Sequence, residues 1–284
     1  MRLLCFMASV AFLAAATITP VQADIVWTTG APGGTSGGAL LFDGSEGGGS
    51  ENSANGIEFL ETGIGADIIQ SDYTVSFWLN LDDAAQQQYA VGTTNRSLHL
   101  GVQGGDAFQG HWGSDHSGSS ADIVSGTWFH STYTYDADGG DGVGGPGLGT
   151  IFINGTEIAQ ASRNAPFPNS SSILLGARFS NGGDAREHLN GSLDDVAFFN
   201  SVLTDGEIAD LAAGTTDALA LGANAYYDFE DDQFGTTAAV QAGAGATAFG
   251  NNLTAITANA IPEPSSLAIL LGLGVAGLAR RKRS

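Results

Sequence analysis

Two adjacent carboxylates, Asp194 and Asp195, interrupt an apolar run between Leu193 and Val196. Neighbours in a strand point to opposite faces, so one of the pair is expected to turn inward beside apolar residues. A bare inward carboxylate is costly. A Ca²⁺ ion that takes it together with Asp43 and loop carbonyls would relieve the cost, because Ca²⁺ wants several oxygen ligands. The alternative is that one Asp accepts from a loop backbone and the other is solvated. A second cluster is His111-Trp112-Gly113-Ser114-Asp115-His116. A sugar site would use Trp112 as a stacking face and Asp115 as a hydroxyl acceptor beside His111. A metal site would use both histidines. The alternative there is a strand end and loop. Asp136, Asp138 and Asp141 invite a calcium-loop reading, but their spacing fails it. Gly140 and Asp141 stand where the third ligand and the glycine belong, and no Glu closes the loop. A solvated acidic loop is the better reading. No Ser-His-Asp order, zinc spacing or phosphate cradle appears.

These residues must be held by short strands. Glycine fills 42 of 284 positions with no collagen-like period, and only 14% of residues are charged. Such a chain favours many strands and tight turns over a helical bundle. Tyr73, Val75, Phe77, Leu79 and Leu81 alternate with Thr74, Ser76 and Asn80, the period of a half-buried strand. Leu98, Leu100 and Val102 repeat the pattern, and Trp128 to Tyr135 is aromatic and β-branched. Thr150 to Ile153, then Asn154-Gly155, then Thr156 to Ala159 reads as a hairpin, because Asn-Gly suits the two positive φ angles of a type I′ turn. Further strands are expected at Ile173 to Leu175, at Ser192 to Phe199 and near Ile25, Leu40, Ile57 and Tyr226. One helix stands out. Thr204 and Glu207 form a capping box, Ile208 and Leu211 share a face, and Gly214 can end it. The expected architecture is an all-β, two-sheet antiparallel sandwich with one short docked helix.

The ends read as addresses. Arg2, an apolar stretch from Leu3 to about Ala16 and the closing Val21-Gln22-Ala23 have the layout of a secretory signal peptide, residues 1–23. Cys5, the only cysteine, lies inside it, so the mature chain would have neither disulfides nor thiol chemistry. At the other end Pro262-Glu263-Pro264 precedes an apolar run from Leu267 to Ala279 and then Arg280-Arg281-Lys282-Arg283. The run is shorter than the roughly 20 residues that span a bilayer comfortably, which suits a transient membrane segment with its basic end on the cytoplasmic side. Residues 261–284 resemble the PEP-CTERM sorting signal of Gram-negative bacteria. The resemblance implies an exosortase-type partner, transient inner-membrane insertion through the short C-terminal helix, cleavage near Pro262–Pro264 and release to the envelope or extracellular matrix. Between the ends stand four basic residues, Arg96, Arg163, Arg178 and Arg186, against 29 of the 30 acids, a balance of −25. That charge excludes nucleic acid, whose phosphates nothing here would neutralise, and adsorption to anionic lipid.

The order of pieces through the body carries a second resemblance. Leu41-Phe42-Asp43-Gly44, Tyr73 to Leu79, Gly126-Thr127-Trp128-Phe129-His130 with Thr134-Tyr135-Asp136, Ile151 to Gly155, Gly191 to Val196 and Leu203 to Ile208 follow one another as in a laminin-G-like jelly roll of the concanavalin A-like lectin/glucanase superfamily. It covers about residues 39–214 and assigns 24–214 to one sandwich. Residues 215–260 are then an Ala/Gly/Thr-rich extension in which the Tyr226 segment can complete a sheet. The resemblance implies a jelly-roll of two curved antiparallel sheets, often with one structural Ca²⁺, used for carbohydrate or protein adhesion. Glucanases of this superfamily carry Glu-x-Asp-x-x-Glu on one strand. Glu230-Asp231-Asp232 comes nearest and lacks the last acid, since Gly235 stands there. The expectation is therefore an exported, non-catalytic module that binds glycan or another matrix component. The alternatives are a glycoside hydrolase of the same fold and a purely structural matrix protein.

Overall fold

Apolar and hydroxyl side chains alternate over Tyr73–Leu81, and the chain there is extended, sending Tyr73, Val75, Phe77, Leu79 and Leu81 into the core. The computed structural model describes residues 26–28, 31, 38–43, 59–111, 113–139, 146–164, 172–179, 185–229, 237–238 and 246–249. The signal segment, Trp112, Asp141, Glu230 to Asp232 and the sorting tail lie outside them.

The strands in chain order are β1 (Val26–Thr28), β2 (Ala39–Asp43), β3 (Phe59–Gly65), β4 (Tyr73–Leu81), β5 (Gln88–Thr93), β6 (Leu98–Gln103), β7 (Asp106–His111), β8 (Ser114–Gly118) and β9 (Trp128–Asp136). They continue as β10 (Gly147–Ile153), β11 (Thr156–Arg163), β12 (Ser172–Leu175), β13 (Arg178–Phe179), β14 (Ala185–Arg186), β15 (Asn190–Phe199), β16 (Ala225–Tyr227), β17 (Thr237–Ala238) and β18 (Ala246–Phe249). The first sheet runs β1-β2-β15-β4-β9-β10-β11, with β16 also paired to β15. The second runs β17-β18-β3-β12-β5-β6-β7-β8, and β13 with β14 makes a separate ribbon. All pairs are antiparallel. This is the two-layer jelly roll expected of the sequence.

The inner faces meet in one core that includes Phe42, Phe77, Leu100, Phe129, Tyr133, Ile151 and Phe198. Each such side chain, withdrawn from water, contributes about 1.5–3 kcal/mol. The Asn154-Gly155 turn has φ of 49° and 75°, the two positive values its sequence calls for. The single α-helix among the described residues, α1 (Asp205–Ala212), starts at the Thr204–Glu207 capping box. The Thr204 hydroxyl accepts from Glu207 N at 3.3 Å, and the Glu207 carboxylate accepts from Thr204 N at 2.8 Å. Ile208 and Leu211 pack with Phe152, Ala197, Phe199 and Tyr226 on the outer face of the first sheet. Gly155 lies against this helix so closely that a Cβ there would sit 2.9 Å from Ala209 Cα. The helix therefore packs directly on the hairpin turn.

One local expectation is corrected. Strict alternation would put Asp194 and Asp195 on opposite faces. Instead the register of β15 on β4 shifts between Asp194 and Ala197. Asp195 takes φ of 49° and absorbs the extra residue. Leu193 and Val196 still face the core, while both carboxylates lie on the outer side, Asp194 opposite Trp78 and Asp195 beside Tyr226.

Candidate functional site

The outer face of the first sheet is built by three neighbouring strands. β4 contributes Ser76 and Trp78. β9 brings His130 opposite Trp78 and Thr132 opposite Ser76. His130 Nε2 stands 2.9 Å from Ser76 Oγ, and Nδ1 stands 3.5 Å from Thr132 Oγ1. The Trp78 and His130 rings meet edge to face, with centroids 5.2 Å apart. Burial pushes the His130 pKa down to about 3, so the ring is neutral at neutral pH.

On the other side of β4, the bulge in β15 presents Asp195. The Tyr226 hydroxyl on β16 donates to Asp195 Oδ1. Pairing of Ala197 with Tyr226 brings that phenol to the bulge from 31 residues away. Helix α1 covers the next stretch of sheet, and the turn after it, Gly214 to Ala218, forms a rim. Between rim and sheet lies an open cavity of about 310 Å³. Its lining is Ser76, Trp78, His130, Asp195, Ala197, Leu211, Gly214, Thr215, Thr216, Asp217, Ala218 and Tyr226. The volume is at the lower end of the ~300–1,000 Å³ of small-molecule sites. An indole with hydroxyls and carboxylates around it suits a polyhydroxylated ring, offering apolar contact and hydrogen-bond acceptors together.

Of the candidate site residues named from the sequence that are described, Asp195 lines this cavity. Asp194 is buried beside it. Its Oδ2 accepts from Ala31 N and its Oδ1 from Asp195 N, each at 2.8 Å. Both oxygens of this carboxylate thus accept from backbone N–H groups. Asp43 lies at the end of β2 opposite Asn190, four positions along β15 from Asp194. Among the described residues no three His, Cys, Asp or Glu side chains stand close enough to share an ion. Asp136 accepts from Asp138 N at 3.0 Å within its own turn.

His111 and Asp115 belong to a hairpin at the far edge of the second sheet and point to opposite sides of it. His111 is fully buried between the sheets. Its Nδ1 lies 2.9 Å from the Asn164 carbonyl, which only accepts, so that nitrogen carries the hydrogen. Nε2 then accepts from the Tyr73 hydroxyl at 2.6 Å, and Gln109 donates to the same hydroxyl at 2.8 Å. Burial lowers the His111 pKa to about 4. His116 also turns inward, where Arg163 Nε donates to its Nδ1 at 2.8 Å. Asp115 is exposed on the outer side, its carboxyl raised by partial burial and lowered by Arg96 and other guanidinium groups. The hairpin does not gather these residues into one site.

Sequence reasoning missed Trp78, His130, Tyr226 and Asp217. For Trp78 the signal was present. Alternation puts it on the same face as Thr74, Ser76 and Asn80, and an indole on a hydroxyl-rich face is out of place unless something covers it or binds it.

Two facing antiparallel sheets, with a helix laid on the outside of one and a polar cavity beside it, define a jelly-roll sandwich. Residues 51–209 match the family model of the concanavalin A-like lectin/glucanases superfamily, and the chain belongs to that superfamily. Residues 260–284 match the PEP-CTERM protein-sorting motif, the mark of an exported protein. No curated protein matches the sequence at a significant level. Among solved structures the chain is similar to a Bacteroides ovatus protein assigned to carbohydrate binding, at 17% identity and a TM-score of 0.51, over 72% of this chain and 60% of that one. The chain thus spans 60% of that protein's length. It is also similar to domain 4 of AbnA, an extracellular arabinanase of Geobacillus stearothermophilus, at 18% identity and a TM-score of 0.44, over 66% and 81% of the two chains. A third likeness is to the CBM40 of the Ruminococcus gnavus IT-sialidase, at 16% identity and a TM-score of 0.43, over 55% and 95%. At these identities the likeness is one of fold.

Proposed function

We propose that the protein is an exported, non-catalytic glycan-binding module of the cell envelope or extracellular matrix, delivered by an exosortase-type enzyme that reads its C-terminal tail. The observation that carries this is the cavity against Trp78. It places Trp78, two threonines, Asp195, Asp217 and Tyr226 around a space for one sugar ring. The superfamily and the sorting motif support the same reading. The chemistry favours holding over cutting. Asp195 is half-buried and takes the Tyr226 hydrogen bond. Asp217 is exposed and accepts from Ala220 N at 2.7 Å. A glycosidase acid must instead be buried enough to keep its proton near neutral pH.

The test is a glycan array with the purified protein, followed by titration calorimetry on the glycans that bind. Saturable binding that weakens at least tenfold in Trp78→Phe, with an unchanged circular dichroism spectrum, is the expected result; tenfold corresponds to about 1.4 kcal/mol. A folded protein that binds nothing on the array would leave the purely structural alternative standing. Reducing ends released from a bound polysaccharide would make it a hydrolase.

A further inference from the structure

The electrostatics of the cavity name a class of sugar, an inference that rests on the glycan-binding reading above. The exported body has four arginines, and the structure places three of their side chains away from the cavity. Arg178 is ion-paired with Glu187 over the outer face of the second sheet. Arg163 reaches across the open edge of the sandwich to His116 on β8. Arg96 lies in the turn between β5 and β6, where its charge acts on His99 and Asp115 of the second sheet. The fourth, Arg186, belongs to β14, opposite Arg178 in the ribbon that is separate from both main sheets. Among the described residues no basic side chain lines the cavity, and His130 is a neutral ring there. Two carboxylates, Asp195 and Asp217, do line it. Low-dielectric walls around a concave site concentrate the field of such charges.

We infer that the cavity takes an amino sugar with a free ammonium group, received by Asp195 and Asp217, and turns away sugars that carry a carboxylate. A uronic or sialic residue would bring a third negative charge beside Asp195 and Asp217, with no cation among the described lining residues to meet it. A neutral hexose gains the aromatic contact and neutral hydrogen bonds. An ammonium adds charge-assisted bonds, roughly twice as strong as neutral ones.

The test compares three oligosaccharides of equal length on the full protein: chitosan (free amines), chitin (acetylated, neutral) and oligogalacturonate (acidic). Because the whole body is acidic, the decisive arm is a set of variants. Asp195→Asn keeps the backbone, since Asn accepts a positive φ. Asp217→Asn is at an exposed position. Asp138→Asn, in the β9–β10 loop, removes a charge remote from the cavity. The expected result is chitosan bound about tenfold more tightly than chitin oligosaccharide, with oligogalacturonate weakest. Asp195→Asn and Asp217→Asn should each weaken chitosan binding by a larger factor than they weaken chitin binding, and Asp138→Asn should leave the ratio of the two unchanged. A preference that survives both cavity variants, or falls equally in Asp138→Asn, overturns the assignment and traces it to the acidity of the whole body. Oligogalacturonate bound as well as chitosan overturns it too, with glycan binding intact. If none of the three binds but the array yields another glycan, the charge assignment alone falls. If the array is also blank, both readings fall.

Discussion

The two sheets share one core but differ on their outer faces. Each outer face holds a buried histidine edge-on to an aromatic ring: His130 to Trp78 on the first, His99 to Tyr89 on the second, with centroids 5.2 and 5.0 Å apart. Burial lowers both imidazoles to a pKa of about 3. On the second sheet the space is filled. Phe108 stacks on His99 at 5.4 Å, and the Arg178 guanidinium lies 5.4 Å over the Tyr89 ring. Arg178 Nη2 donates to Glu187 Oε1 at 2.6 Å. The segment carrying Arg178 presses flat on the sheet, so that a Cβ on Gly92 would lie 2.3 Å from Ala177 O. On the first sheet α1 docks to one side and leaves a rimmed opening. Similar side chains thus give a packed wall in one place and a receptacle in the other, and what decides is the element laid across the sheet.

Acid should attack both faces at once, and it gives the largest expected effect. His99, His111 and His130 have folded pKa values of about 3, 4 and 3, below the ordinary 6.5 of an unfolded chain. Their contribution is fully present above pH 6.5. As pH falls below that, the unfolded chain takes up protons that the folded one refuses. Stability should then drop by up to about 1.4 kcal/mol per pH unit for each of these histidines. Thermal melts between pH 6.5 and about 4.5, where carboxylates remain largely ionised, check this. A flat profile would mean these imidazoles are not held neutral. Arg178→Leu separates the faces. It strands the buried Glu187 carboxylate and should cost about 3–5 kcal/mol in chemical denaturation. Binding at the first sheet, measured where the variant is still folded, should be unchanged. Lost affinity in folded protein would show that the second face contributes to the site. Thr204→Ala does the reverse on a smaller scale. Removing the cap should cost about 1 kcal/mol and loosen the rim after α1, so that affinity falls more than the melt alone accounts for.

Much of the fold was legible because the deciding signals were local. The period of two over Tyr73–Leu81, the Asn154-Gly155 turn and the Thr204–Glu207 box each fix backbone geometry within a few residues. The site was far less legible. Asp195 reaches Tyr226 only through pairing of β15 with β16, across the helix that separates them in sequence. The bulge at Asp195 shifts the alternation by one residue, and nothing in Leu193-Asp194-Asp195-Val196 announces a shift. The aromatic-and-histidine cluster at His111 allowed either a surface site or a strand end, because composition does not record direction. His111 is turned inward by its bonds to Tyr73 and Asn164.

The left-handed backbone at Asp195 narrows what evolution can place there. Asparagine and glycine tolerate that conformation and branched residues do not. Both lie a single nucleotide change from an aspartate codon. A descendant of this chain can therefore exchange or discard the charge facing its ligand in one step while the scaffold stays still, so recognition can drift faster than architecture.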